Sequence, residues 1–370
     1  MSQVIKGYKL SQEVLKADIP RYVNDVGHGV PDPAILDCSA GINPYGAPPA
    51  VVAALATITA DDVSNYPGGN SLERAVAAYL GGGVTERNVV LTFGAMEGIF
   101  RINAAFAGGH GAFAAFAPHF PDASISARLL GMRYESVPMD DVHNFAVDPQ
   151  QMAERIGKEW GLVYIDNPNN PTGQIVTPDE LRPVLDRARS LGVCVLVDEA
   201  YGDYAPIEYS CAPMINEYDN LIVTRSLSKG FGLAGLRVGY IVASEDLCAI
   251  FEMLGNPYVG TTPARILGCA ALENSGALRA SSDAIAASKA RIRDALPPHI
   301  KMAETYLATS ICLLYHSDRS VDLRAAFADH GITVYSGSSF DGLDVNSVRL
   351  RIPHERDVER VIAAVQAIGA

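Results

Sequence analysis

Short, wholly apolar runs alternate along this chain with longer segments in which apolar residues return every three or four positions. Asn88–Phe93 (NVVLTF), Gly161–Asp166 (GLVYID), Val193–Asp198 (VCVLVD) and Asn220–Thr224 (NLIVT) are of the first kind. Such brief runs, rich in β-branched residues, predict strands buried on both faces. Pro178–Ser190 is of the second kind, with Leu181, Val184, Leu185 and Ala188 on one helical face. Strand-helix-strand alternation predicts an α/β architecture whose mostly parallel sheet has helices on both sides.

The C-terminal third has another rhythm. Leu307–Tyr315 and Ser347–Ile352 predict strands of a smaller sheet, and Asp322–His330 and Glu355–Ile368 predict helices covering it. The expected division has three parts. Residues 1–40 form an N-terminal segment that joins the small domain and covers the substrate. Residues 41–270 form a large domain, and residues 271–370 a small α+β domain.

Composition narrows the possible functions. The chain has 370 residues, 48% of them hydrophobic and 19% charged, as in an ordinary globular protein. A net charge of −13 argues against a nucleic-acid partner, which needs clustered Lys and Arg. No run approaches the roughly 20 apolar residues of a membrane span, and Met1–Lys16 lacks the apolar core of a secretory leader. Cys38, Cys194, Cys211, Cys248, Cys269 and Cys312 are scattered, as expected of reduced thiols in a cytoplasmic protein. The eight histidines show no metal-binding spacing, so no metal site is expected.

Candidate chemistry gathers after the predicted strands, where open α/β sheets hold ligands. Lys229 follows the strand ending near Thr224, in a loop of hydroxyls and glycines. Alone it reads as a solvated lysine. Arg237, eight residues on in an apolar stretch, needs an anionic partner. With Ser226 the three suggest a phosphate beside a nucleophilic amine. Asp198 ends an apolar strand, so it is either a helix N-cap or a buried carboxylate with a charged partner. Ile165–Gly173 (IDNPNNPTG) forms a rigid turn with asparagine donors at its tip. Phe93–Glu97 opens a helix whose amides could bind phosphate.

These segments, in this order, resemble the fold-type I pyridoxal-phosphate (PLP) enzymes of the aspartate-aminotransferase superfamily. The similarity runs from about Asp37 to the C-terminus and is strongest to the branch of histidinol-phosphate aminotransferase and threonine-phosphate decarboxylase. The resemblance implies a Schiff base on Lys229, an Asp198 carboxylate on the pyridine nitrogen, and Tyr201 and Asn170 as donors to the phenolic oxygen. It implies a phosphate cup of Ser226, Arg237 and the Gly94–Ala95–Met96 turn, with Phe120 stacked on the ring. Tyr66 would reach the cofactor phosphate of a neighbouring subunit, which implies a homodimer with shared sites. Arg349 would clamp the substrate α-carboxylate.

Three features depart from the pattern. Ala95 stands where Ser or Thr is common, a loss of about 1 kcal/mol in phosphate binding. Ser39–Gly46, with Asn43 as a substrate contact, looks more like the decarboxylase branch, and His28–Gly29 echoes it. Tyr335 occupies the place where both relatives carry an arginine for the substrate's own phosphate. Arg351 shares a strand face with Arg349, so it is either a surface ion-pair partner or a second substrate contact. The implied activity is transamination between an amino acid and a 2-oxo acid by 1,3-proton transfer. The alternatives are a PLP-dependent decarboxylase or lyase/cyclase, and a non-catalytic PLP-binding protein.

Overall fold

The computed structural model describes residues 13, 32, 34–139 and 142–368. Most of the expected N-terminal lid, including His28 and Gly29, lies outside the described residues.

The strand Leu36–Asp37 (β1) comes first and runs parallel to Ile332–Thr333 (β11). A central sheet follows, built from Val89–Thr92 (β2), Ala112–Ala117 (β3), Tyr134–Pro138 (β4), Trp160–Asp166 (β5), Cys194–Asp198 (β6), Leu221–Ser226 (β7) and Gly239–Val242 (β8). Its spatial order is β2-β8-β7-β6-β5-β3-β4, and β8 runs opposite to the other six strands. Alternate residues feed two cores. Val163, Ile165, Val195 and Val197 face one, while Leu162, Tyr164 and Leu196 face the other. That two-sided burial is why these strands read as continuous apolar runs.

The helix Pro178–Ser190 forms where its periodicity predicts. Thr177 and Glu180 make a reciprocal capping box at its start, and Leu181, Val184, Leu185 and Ala188 are buried. β3 (AFAAFA), β4 and β8 escape a reading based on runs of β-branched residues. Alanine has little intrinsic preference for a strand, and β3 is held by parallel neighbours on both sides.

The second sheet has the order β12-β13-β10-β9, from Ile300–Met302 (β9), Ile311–His316 (β10), Tyr335–Ser336 (β12) and Ser347–Arg351 (β13). The strand expected over Leu307–Tyr315 starts four residues later, at Ile311. The expected helix over Glu355–Ile368 begins with a 3-10 turn and is α-helical over Val358–Ala367. The boundary expected at residue 270 falls inside the helix Thr262–Glu273. Ala271, Leu272 and Leu278 still belong to the large core, whereas Ile285 and Ile292 belong to the small one.

Candidate active site

Five chain segments leave the central sheet at the carboxyl end of its parallel strands and meet the small sheet there. Between them lies a cavity of about 390 Å³. Of the residues singled out from sequence, Ala95, Met96, Phe120, Asn170, Asp198, Tyr201, Ser226, Lys229, Arg237, Tyr335 and Arg349 line it. Gly94 stands directly behind, at the start of the helix Ala95–Phe106.

β5 and β6 end in register, with Asp166 opposite Asp198, and Asp198 lies opposite Thr224 of β7, which runs two residues further. Asp198 accepts hydrogen bonds from the Tyr164 hydroxyl (2.8 Å), the Ala200 amide (3.0 Å) and the Thr224 hydroxyl (3.2 Å). Burial pushes its carboxyl upward and these three donors oppose the shift. This settles the choice left open by sequence: Asp198 is a buried carboxylate bordering the cavity, not a solvent-facing helix cap.

At the other end of the cavity, Ser226 Oγ donates to Ser228 Oγ (2.8 Å), and Arg237 Nη1 donates to Ser228 Oγ (3.4 Å). Arg237 has a left-handed backbone (φ 55°), and its guanidinium is anchored on the carbonyls of Ala234 and Phe93. Two hydroxyls, a guanidinium and a helix N-terminus converge there, which is an anion-binding donor set. The Lys229 amine is 5.3 Å from the centroid of the Tyr201 ring.

A buried ionic platform lies under the loop that follows Lys229. The Arg225 guanidinium donates to Glu199 and to Asp203 Oδ1 (2.7 Å), and all three side chains are inaccessible. A Cβ added at Gly230 would lie 2.4 Å from the Cβ of Asp203, so the loop after Lys229 packs directly on that platform.

The small sheet supplies the opposite wall. β12 and β13 pair Tyr335 with Arg349, and the Tyr335 ring covers the Arg349 guanidinium at 4.7 Å. Arg349 donates to Asn170 Oδ1 (3.1 Å) and to the Ser39 carbonyl. With Oδ1 so occupied, the Asn170 Nδ2 group is turned away from Arg349.

Two expected substrate contacts are placed elsewhere, and Tyr66, expected to serve the neighbouring subunit, lies apart from this chain's own cavity. Asn43 is outside the cavity: its amide donates to the Gly230 carbonyl (2.7 Å) and Ser281 Oγ (3.3 Å), which ties the N-terminal loop to the Lys229 loop. Arg351 is neither a surface residue nor a cavity residue. It is buried and donates to the Asp37 carbonyl, because the chain of β1 lies beside β13 at that point. Tyr66 is 78% exposed, does not line this chain's cavity, and stacks on Tyr258 at 4.4 Å.

Sequence reasoning missed Asp122, Ser228 and Asp166, all of which line the cavity. Asp166 had a signal available. It ends an apolar strand just as Asp198 does, and the same burial argument applies to it.

The profile of the family "Aminotransferase class I and II" matches residues 33–368. A Geobacillus histidinol-phosphate aminotransferase is 35% identical over 249 residues, 66% of each chain. The Yersinia pestis protein of that name is 30% identical over 292 residues, 78% of this chain and 74% of its own. The fold matches a Sinorhizobium meliloti histidinol-phosphate aminotransferase solved with pyridoxal 5′-phosphate (TM-score 0.77, 23% identity, 95% and 98% coverage). It also matches a Porphyromonas gingivalis L-threonine-O-3-phosphate decarboxylase (TM-score 0.78, 19% identity, 90% and 99% coverage). The chain therefore belongs to the class I and II aminotransferases, enzymes that use pyridoxal 5′-phosphate.

Proposed function

We propose that this cavity holds the cofactor and exchanges an amino group between a 2-oxo acid and an amino acid that bears no phosphate. One observation carries the reading: a primary amine, an anion cup and a buried carboxylate converge at one end of the sheet. The residues fit the cofactor in detail. Ser226, Arg237 and the amides of Ala95 and Met96 would hold its phosphate. Asp198 would pair with the protonated ring nitrogen, whose positive charge offsets the penalty of burying that carboxylate. The Tyr201 hydroxyl is buried with no hydrogen-bond partner among the described residues, and with Asn170 Nδ2 it would make a donor pair for a phenolic oxygen. Phe120 would cover one ring face.

When bound, the cofactor supplies the electron sink that stabilises negative charge at the substrate Cα. This chain's residues supply orientation and proton transfer. Lys229 would anchor the cofactor and then carry the proton between Cα and C4′. Arg349 would hold the α-carboxylate bidentately. Asp198 would keep the ring nitrogen protonated.

Tyr335 argues for an unphosphorylated substrate. Among the described residues, the cations lining the cavity are Lys229, Arg237 and Arg349, and each has a role above. Arg351 is directed to Asp37 instead, and a neutral phenol is a poor partner for a dianion. The test is direct. Candidate amino donors are mixed with the holoenzyme and the cofactor's visible band is followed; a donor converts it to the pyridoxamine form. Failure of every donor overturns transamination. A kcat/KM for histidinol phosphate about 100-fold above every unphosphorylated donor overturns the substrate reading.

A second reading is α-decarboxylation. It is favoured by the Ser39–Ile42 loop, which closes on the cavity with the Ser39 carbonyl held by Arg349. Release of CO2 without pyridoxamine formation would establish it.

The same reading includes a homodimer in the cytoplasm. All six cysteines are free, as suits a reducing compartment. Exposed apolar Leu55 and Val63 precede Tyr66, and exposed Met253 and Leu254 precede its stacking partner Tyr258. We read these exposed apolar residues as part of a contact surface, which Tyr66 would cross to the other subunit's phosphate cup.

A further inference from the structure

Asp166 borders the cavity, yet nothing above gives it a task. Its carboxylate is buried and all its contacts go to the protein around the ring site. One oxygen, Oδ2, accepts the backbone N–H of Phe120 (2.9 Å) and the backbone N–H of Asn170 (3.0 Å). The other oxygen accepts Asn169 Nδ2 (2.8 Å), whose amide also donates to the Pro118 carbonyl. Phe120 and Asn170 are 50 positions apart in sequence, on the β3 and β5 exits. They are also the two residues read above as covering the ring face and as donating to the phenolic oxygen.

We infer that Asp166 is a positioning residue that fixes Phe120 and Asn170 relative to one another, and so sets the distance between the stacking ring and the phenolic-oxygen donor. The inference rests on the cofactor reading above. Three physical points support it. A charged acceptor forms stronger and more directional hydrogen bonds than a neutral one. A single oxygen shared by two amides fixes their separation, which two independent acceptors would not. The Phe120 carbonyl is held as well, by His119 Nδ1 at 2.9 Å, so this residue's main chain is clamped on both sides by side chains. His119 Nε2 lies 2.9 Å from the Tyr134 hydroxyl, whose oxygen is also 2.6 Å from Asp341 of the small-sheet side, so the clamp has a fixed backing.

Asp166 also lies opposite Asp198 in the parallel register. Burial raises its carboxyl to about 7, against the pull of its three donors, and the neighbouring Asp198 adds to the rise. A cation held in the cavity at the carboxyl ends of β5 and β6 would favour the ionised form of both. The clamp would therefore be strongest when a protonated ring is present.

The experiment measures how fast the holoenzyme loses its cofactor. Release is followed by the visible band with a scavenger for free pyridoxal phosphate, and the induced circular dichroism of that band reports the ring's setting. Asp166→Ala should speed release by at least about 10-fold and reduce the induced dichroism, because two buried amides lose a charged acceptor. In a Phe120→Ala/Asn170→Ala background the same change should speed release by less than about 3-fold, because residues acting through shared partners are not additive. An equal effect in both backgrounds would overturn the inference, as would a wild-type release rate and dichroism in Asp166→Ala. If Asp166→Ala does not fold, Asp166→Asn carries the same cycle with a smaller expected effect, about 3-fold in the wild-type background. That variant keeps one acceptor oxygen but sets its amide against the Asn169 donor. A wild-type protein with no visible band would instead overturn the cofactor reading, and the inference with it.

Discussion

Arg349 meets three demands with one guanidinium. It holds the Ser39 carbonyl, orients the Asn170 amide and lies under the Tyr335 ring. A planar fork can do this, whereas a point charge on a flexible stem cannot. Arg349→Lys is therefore expected to raise the amino-donor KM by about 10- to 100-fold, with a smaller change in kcat, since hydrogen bonds to charged groups are worth about 1.5–3 kcal/mol. Steady-state kinetics with one donor would decide it; an unchanged KM would show that Arg349 is structural only. Arg349 is marked by the family resemblance, whereas Arg237 was legible because a cation in an apolar stretch demands a partner. Arg351 obeys the same rule and meets it differently. Its partner is a backbone carbonyl of β1, and no side-chain pattern records which carbonyl will be near.

The elements set the site through their ends. At the β2 exit, Gly94 has φ +81°, and a Cβ there would lie 2.5 Å from Arg237 Nη2. The glycine thus admits the guanidinium into the anion cup and also permits the turn. Gly94→Ala introduces both a strained φ and a clash with Arg237. Fluorescence titration of the apoprotein with pyridoxal phosphate should show affinity weakened by about 10-fold, from a strain of about 1–2 kcal/mol. An unaltered affinity would place the phosphate elsewhere. Strand ends such as Asp198 were recoverable from the point where an apolar run stops. The starts of β3 and β10 were not, because alanine and flanking Thr-Ser residues do not mark where pairing begins.

At the scale of the whole molecule, Lys289 braces the small domain where it meets the large one. It is fully buried in the helix Leu278–Asp294, and its ammonium donates to Thr305 Oγ1 (3.0 Å) and to the carbonyls of Tyr306 (2.8 Å) and Ile311 (2.9 Å). The Asn170–Gly173 turn docks on the same strut, with the Tyr306 amide donating to the Gly173 carbonyl. Burial lowers Lys289 from 10.5 to about 7. The unfolded chain then keeps a proton that the folded chain has lost between about pH 7 and the unfolded value. Stability contributed by this group therefore rises with pH in that window. The buried thiols act in the opposite sense above about pH 8.5, because their folded values are raised. Urea unfolding between pH 7 and about 8.5 should show wild type gaining up to ~2 kcal/mol relative to Lys289→Met. Parallel pH dependences would sink this assignment.

The sequence by itself carried the α/β class and the apolar runs of β2, β5, β6 and β7, which depend on local pattern, and the resemblance to a family supplied most of the expected cofactor residues. Ala95, Phe120, Asn170, Tyr201 and Lys229, all expected to hold the cofactor, lie three or four positions past strand ends. Only the tertiary structure decided the substrate wall. There Tyr335, Arg349, Ser39 and Asn170 come from four distant segments. It also separated Arg349 from Arg351, neighbours on one strand face that differ in whether β1 or the cavity lies alongside. It gave Asp166 its place as well, because one carboxylate can tie Phe120 to Asn170 only after β3 and β5 have paired.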